Sequence, residues 1–202
     1  MPSVSDAYLE SRLKLMIVGK ETRAWTGGLH RAAGFRDEQS YVEFSMQAHA
    51  DFLLMQPQKH KFFQFYRQAV NAVAVTEPAA GNNAVWANLF CVSSNANSPT
   101  DLPAAIFRDI RDMSRALLLA QVDILKPDAI LFVTGPGYDR YLKEFFAITD
   151  GIVHEPRALW SFRANGIPAF RTHHPQWEKG RQYRLRALQE ILKPAPARVS
   201  IG

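Results

Sequence analysis

Leu13-Lys14-Leu15-Met16-Ile17-Val18-Gly19 is a nearly unbroken apolar run that stops at Lys20-Glu21-Thr22. Three more segments share its character: Ala84 to Val92, Ala129 to Gly135, and Ala169 to Thr172, the last with a partner around Ala158 to Phe162. Runs without polar alternation suit strands covered on both faces, as in parallel sheets. Helical periodicities fill the gaps. Phe62, Tyr66, Ala69, Val70 and Val73 recur at helical spacing. Thr100 or Asp101 can cap a helix with Pro103 in its first turn. The buried stripe expected of that helix is Ile106, Ile110, Met113 and Leu117, and Lys126-Pro127 ends it. Tyr138, Tyr141, Leu142 and Phe145 mark a shorter helix, and Trp177 to Leu192 a last one. Strands alternating with helices predict an α/β fold: a three-layer α/β/α sandwich around a short, mainly parallel, four-stranded sheet.

The 202 residues and 47% hydrophobic content suit one such unit with a sizeable core. A formal charge of +5 permits a polyanionic partner without establishing one. Cys91, the one cysteine, falls in a predicted buried strand and reads as a small core residue. One cysteine excludes a disulfide framework, a cysteine-rich zinc site and a four-cysteine iron–sulfur cluster within the chain. The N-terminus lacks a basic stretch followed by an apolar core, and no uncharged apolar run approaches the ~20 residues of a membrane span. These features predict a soluble, cytoplasmic protein.

Chemistry is expected outside the carboxyl ends of the strands, where open α/β sheets bind ligands. If the first and last strands are parallel neighbours, Glu21 and His174 share a pocket. Glu21 can orient and deprotonate a water, or it can cap a helix or pair with Arg23. Asn88 sits inside an apolar strand. Its amide can read the edge of a nucleobase, or bond a neighbouring loop. Asn95, Asn97 and Ser98 follow the same strand and can bind phosphate, but they read first as a turn. Thr134-Gly135-Pro136-Gly137-Tyr138 resembles a phosphate-binding loop but lacks both the Lys-Ser/Thr ending of a P-loop and the third glycine of a dinucleotide fingerprint, so it reads first as a tight turn. His173 and His174 are adjacent and make a poor chelating pair. His174 can stabilise negative charge on a leaving group, or be held structurally by backbone. The other histidines lack metal-ligand spacing, and no metal is expected. Lys179, Arg181, Arg184 and Arg186 form a basic helix that can follow a DNA backbone, or a solvated helix face. The 24–41 segment, rich in glycine and charge, reads as a functional loop. Phe62, Phe63, Phe65 and Tyr66 exceed one core face; they lie under that loop or form a contact between two copies of the chain.

Four anchors together resemble the uracil-DNA glycosylase superfamily. Gly19-Lys20-Glu21-Thr22 stands where that family has a Gly-Gln-Asp-Pro or Gly-Glu-Ala-Pro type of motif, and a prokaryotic branch reads Gly-Gln-Glu-Thr followed by an aromatic. Asn88 stands at the base-reading asparagine. Leu125 to Gly135 is similar to the family's helix end, proline and strand. His174-Pro175-Gln176 stands at its His-Pro-Ser motif. The resemblance spans nearly the whole chain and implies a single domain over 1–193 with a flexible tail over 194–202. It implies hydrolysis of the glycosidic bond of a flipped uracil or other damaged base in DNA, with no cofactor. Glu21 would position the water, His174 would stabilise the departing base, and Asn88 would read it beside Gly19. Trp25 or Phe35 would stack on it. This chain departs from the pattern at Lys20, at Glu21, which is one methylene longer than the usual residue, and at Gln176, and no leucine wedge follows the last motif. Two other functions use the same crevice: a non-catalytic nucleic-acid or nucleobase-binding module, and a small-molecule nucleotide hydrolase.

Overall fold

The computed structural model describes residues 4–22, 34–55, 60–76, 84–94 and 97–193. In chain order the elements are α1 (Asp6–Glu10), β1 (Leu15–Gly19), α2 (Glu38–Met55), α3 (Lys61–Thr76), β2 (Ala84–Asn88), α4 (Ala104–Leu125), β3 (Ala129–Phe132), α5 (Asp139–Phe145), β4 (Ile148–Glu155), β5 (Leu159–Ala164), β6 (Ile167–Thr172) and α6 (Arg181–Leu192).

The sheet has six strands in the order β2-β1-β3-β6-β5-β4. The first four are mutually parallel, and β5 and β4 add antiparallel pairings. The expected four-stranded sheet is therefore one part of a larger mixed one. The partner foreseen around Ala158–Phe162 is β5. β4 escaped notice because Ile148-Thr149-Asp150-Gly151-Ile152-Val153-His154-Glu155 has no apolar run, and nearly all of it is exposed. An Asn165-Gly166 turn joins β5 to β6, both residues with positive φ (50° and 82°), as the twist of a two-residue hairpin demands.

Side chains on the parallel strands point alternately to two cores. Met16, Val18, Val85, Ala87, Ile130 and Phe132 pack with Leu118 and Val122 of α4 and Tyr141, Leu142 and Phe145 of α5. Leu15, Ile17, Ala84, Trp86, Ala129 and Leu131 pack with α3 and with Ala187 and Leu188 of α6. Helices on both faces explain why all of β1 is buried and why its sequence does not alternate. The chain leaves β1 outward to β2, then returns across it to β3. The carboxyl ends of β1 and β3 thus flank a topological switch point, where crevices form.

Three expectations change here. The stripe expected to bury α4 is not its core face: Ile106 is 51% and Met113 48% exposed, Ile110 and Leu117 are only half-buried, and the core instead receives Ser114, Leu118, Gln121 and Val122. Phe62, Phe63, Phe65 and Tyr66 are all buried within the chain, so they offer no surface to a second copy. Cys91 lies three residues beyond β2, half-buried with its thiol against Ser114 Oγ (3.3 Å). Part of the presumed loop over 24–41 is the start of α2; its 24–33 stretch and the 194–202 tail lie outside the described residues.

Candidate functional site

β1 and β6 are parallel but not neighbours, because β3 lies between them. Their carboxyl ends still open on one side of the sheet. Pairing runs on past the strand ends. Leu89 N–H donates to Gly19 O (2.9 Å), Phe90 N–H to Lys20 O (2.8 Å), and Gly135 N–H to Thr172 O (2.9 Å). These bonds fix where Lys20-Glu21, Asn88 and His173-His174 leave the sheet. Glu21, Asn88 and His174 then line one cavity of about 300 Å³, with Lys20, Phe52, His60, Lys61, Phe62, Trp86 and Gln176.

Asn88 is the last residue of β2, directly opposite Gly19 in the register. Trp86 Nε1 donates to its Oδ1 (3.3 Å), and Phe62 stacks on the Trp86 ring (4.3 Å, 24°). Gly19 is obligatory for close approach: a Cβ there would stand 2.6 Å from Asn88 Oδ1 and 2.9 Å from a Phe62 ring carbon. His49 of α2 meets Trp86 edge-on (5.4 Å), and burial pushes its pKa down to about 4, so a neutral imidazole backs the aromatic wall.

Glu21 is only 8% exposed. The Tyr138 hydroxyl donates to its Oε2 (3.2 Å) and lies 3.1 Å from Ser98 Oγ. Burial, above all, pushes the Tyr138 pKa up to about 12, which keeps the proton on the phenol as a donor. Lys20 Nζ sits over the same ring at 5.1 Å. Tyr138 is thus a site residue that sequence reasoning missed, and Ser98, foreseen as a turn or phosphate-binding residue, supports it instead. Thr134-Gly135-Pro136-Gly137-Tyr138 read first as a turn, yet that turn delivers the phenol to the carboxylate. Ser98 also belongs to the turn foreseen there: its Oγ accepts from Thr100 N–H, and Ser94 and Asn97 pair back to back before it.

His174 Nδ1 accepts from the Gln176 N–H (3.3 Å). In the neutral ring that places the proton on Nε2. Its ring lies 5.8 Å from Phe62. His173 turns elsewhere and packs on Trp177 (3.8 Å).

The remaining expected site residues separate. Phe35 packs on Tyr41 and Phe44 (5.3 and 5.1 Å) at the start of α2 and is not among the described residues of the cavity wall; Phe52, Phe62 and Trp86 supply aromatic rings there instead. Trp25 lies outside the described residues. Lys179 and Arg181 are exposed. Arg186 is exposed on a turn that places it near Glu190. Arg184 is corrected outright. It is 4% exposed, and its Nη1 donates to the carbonyls of His174 (3.3 Å) and Trp177 (3.1 Å), so it braces the His174 loop and faces no phosphate.

Among the described residues, no three His, Cys, Asp or Glu side chains gather as a metal-ligand group, and no helix is long and apolar enough to cross a membrane. Neither a family model nor a curated protein matches this chain.

Proposed function

We propose that this chain is a base-excision N-glycosylase that hydrolyses the glycosidic bond of a flipped uracil or other damaged base in DNA. The observation that supports it is the convergence of Glu21, Asn88 and His174, from three strand ends, on one aromatic-walled cavity. Extrusion of the nucleotide brings its base into that cavity. Phe62 and Trp86 offer apolar ring surface, and Asn88 offers a donor and an acceptor to the base edge. Glu21, steadied by Tyr138, takes a proton from the water whose oxygen bonds to the sugar C1′. The C1′–N bond breaks, its electron pair leaves with the base, and the His174 Nε2–H donates a hydrogen bond to the resulting anion.

Loss of general-base help predicts that Glu21→Gln lowers the excision rate about 10²–10⁴-fold while its melting temperature stays near the wild type's. Single-turnover cleavage of uracil, hypoxanthine and mismatch oligonucleotides measures it. Absence of excision by the wild type across that panel would sink the proposal.

One observation favours a second reading, a nucleic-acid-binding module. Trp177 (41% exposed) lines a space that adjoins the cavity, and the exposed Lys179 and Arg181 follow it by two and four residues. For a backbone contact, replacing Lys179 and Arg181 with Ala reduces the salt slope of DNA binding by about 1 per cation removed. An unchanged slope removes that reading.

A further inference from the structure

A second cavity, of about 490 Å³, adjoins the first and shares Lys20, His174 and Gln176 with it. Its other lining residues are Thr134, Gly135, Pro136, Gly137, Tyr138, Arg157, His173 and Trp177. The two cavities differ in charge. Glu21 lines the first, whereas no carboxylate appears among the described residues lining the second.

Three features mark this second space as made for an anion. Lys20 and Arg157 reach it from opposite ends of the chain. Arg157 does so from the tip of the β4–β5 hairpin, where its backbone holds the left-handed conformation (φ 61°) and its carbonyl accepts from Arg171 Nη1 (2.7 Å). A non-glycine residue in that region is uncommon. Thr134 is 1% exposed, and its Oγ1 has no hydrogen-bond partner among the described residues, which is costly for a buried hydroxyl. Lastly, burial and then the positive charges of Arg171, Arg157, Arg184 and Lys20 hold the His173 imidazole below its usual range, so the local field is positive.

The turn's own amides are largely committed. Gly135 N–H bonds Thr172 O, Tyr138 N–H bonds Gly135 O, and Pro136 has none. An anion here is therefore held by side chains. We infer that the second cavity is a phosphate site, in which Arg157 and Lys20 hold the oxygens and the Thr134 hydroxyl donates to one of them. The assignment of that phosphate to a nucleotide whose base occupies the first cavity rests on the function proposed above; the phosphate site itself does not. The hairpin, an addition to the parallel sheet, then contributes to ligand selection through Arg157.

The test is isothermal titration of the full chain with inorganic phosphate, deoxyuridine monophosphate, a short single-stranded oligonucleotide and free uracil. Arg157→Gly suits the positive φ and keeps the carbonyl that Arg171 needs. It weakens binding of at least one phosphate-bearing ligand tenfold or more and leaves uracil binding unchanged. Thr134→Val weakens the same ligand several-fold. Arg163→Ser removes another exposed hairpin cation, one paired with Asp150 (3.3 Å), and leaves phosphate binding intact. Loss with the monophosphate identifies a free nucleotide, and loss with the oligonucleotide identifies a backbone phosphodiester; either upholds the site. No phosphate ligand bound by the wild type, or equal weakening by Arg163→Ser, overturns it. Arg157-dependent phosphate binding without any base excision leaves the phosphate site standing and removes the glycosylase reading alone.

Discussion

Ile130 and Ile152 are strand residues of one sheet, yet Ile130 is fully buried and Ile152 is 58% exposed. Ile130 belongs to the parallel strands, which helices cover on both faces. Ile152 belongs to β4, the edge strand of the outer hairpin. The parallel half supplies strand ends whose positions are set by packing on two sides; Glu21 and His174 follow such ends, and Asn88 is one. The hairpin buries little along β4 but carries Arg157 to the cavity rim. Arg171 of β6 joins the halves. Its Nε stands 2.8 Å from Asp139 Oδ1, its Nη2 donates to Asp139 Oδ2 (2.9 Å), and its Nη1 donates to Arg157 O.

Removing that junction carries the largest expected cost. Arg171→Met leaves a half-buried carboxyl without its counter-charge and should destabilise the fold by about 3–5 kcal/mol in urea unfolding. Burial already raises the Asp139 pKa, although Arg171 opposes that rise. Without the guanidinium the folded-state pKa climbs further above the unfolded value. The folded carboxyl then holds its proton more tightly than the unfolded one, so the penalty is smallest in acid and grows as pH rises toward neutrality. A penalty of the same size at pH 4 and pH 7 would refute this assignment of the charge.

The contrast between the halves is tested next. Ile130→Ala opens a cavity between β3 and the α4–α5 layer and should cost about 2–5 kcal/mol. Gly19→Ala forces Asn88 and Phe62 apart, at about 1–3 kcal/mol, and displaces the amide from the cavity. An unchanged melting temperature in that variant would show that the close approach yields easily. Ile152→Ala should fall within about 0.5 kcal/mol. A cost above 2 kcal/mol there would reveal an unsuspected partner for β4 and erase the distinction.

The parallel half was legible because burial on two faces writes itself into continuous apolar runs such as Leu15–Gly19 and Ala129–Phe132. Of the hairpin only β5 was, since β4 buries almost nothing and so carries no apolar signature. α4 shows a subtler failure. Ile106, Ile110, Met113 and Leu117 keep a perfect 4-3-4 spacing, yet Ser114 and Gln121 face the core. There Ser114 Oγ accepts from Cys91 N–H and donates to Ile110 O, so polar residues could be buried without penalty. In the site, Glu21, Asn88 and His174 were readable as polar residues ending apolar strands. Tyr138 was hidden because a tyrosine after Gly-Pro-Gly reads as a helix face. Arg184 was misread because charge was weighed before position. It stands three and four residues before Ala187 and Leu188, both buried, and that spacing already pointed it inward.

The inward turn of Arg184 ties the imidazole's loop to the terminal helix by two carbonyl contacts. The acid, by contrast, follows the very first strand. A polypeptide cut short before residue 184 would own the carboxylate but lack the anchor that aims its distant partner. Completeness of synthesis is thereby built into the shape of the cavity, and pulling on the C-terminal end should disturb the imidazole well before it disturbs the acid.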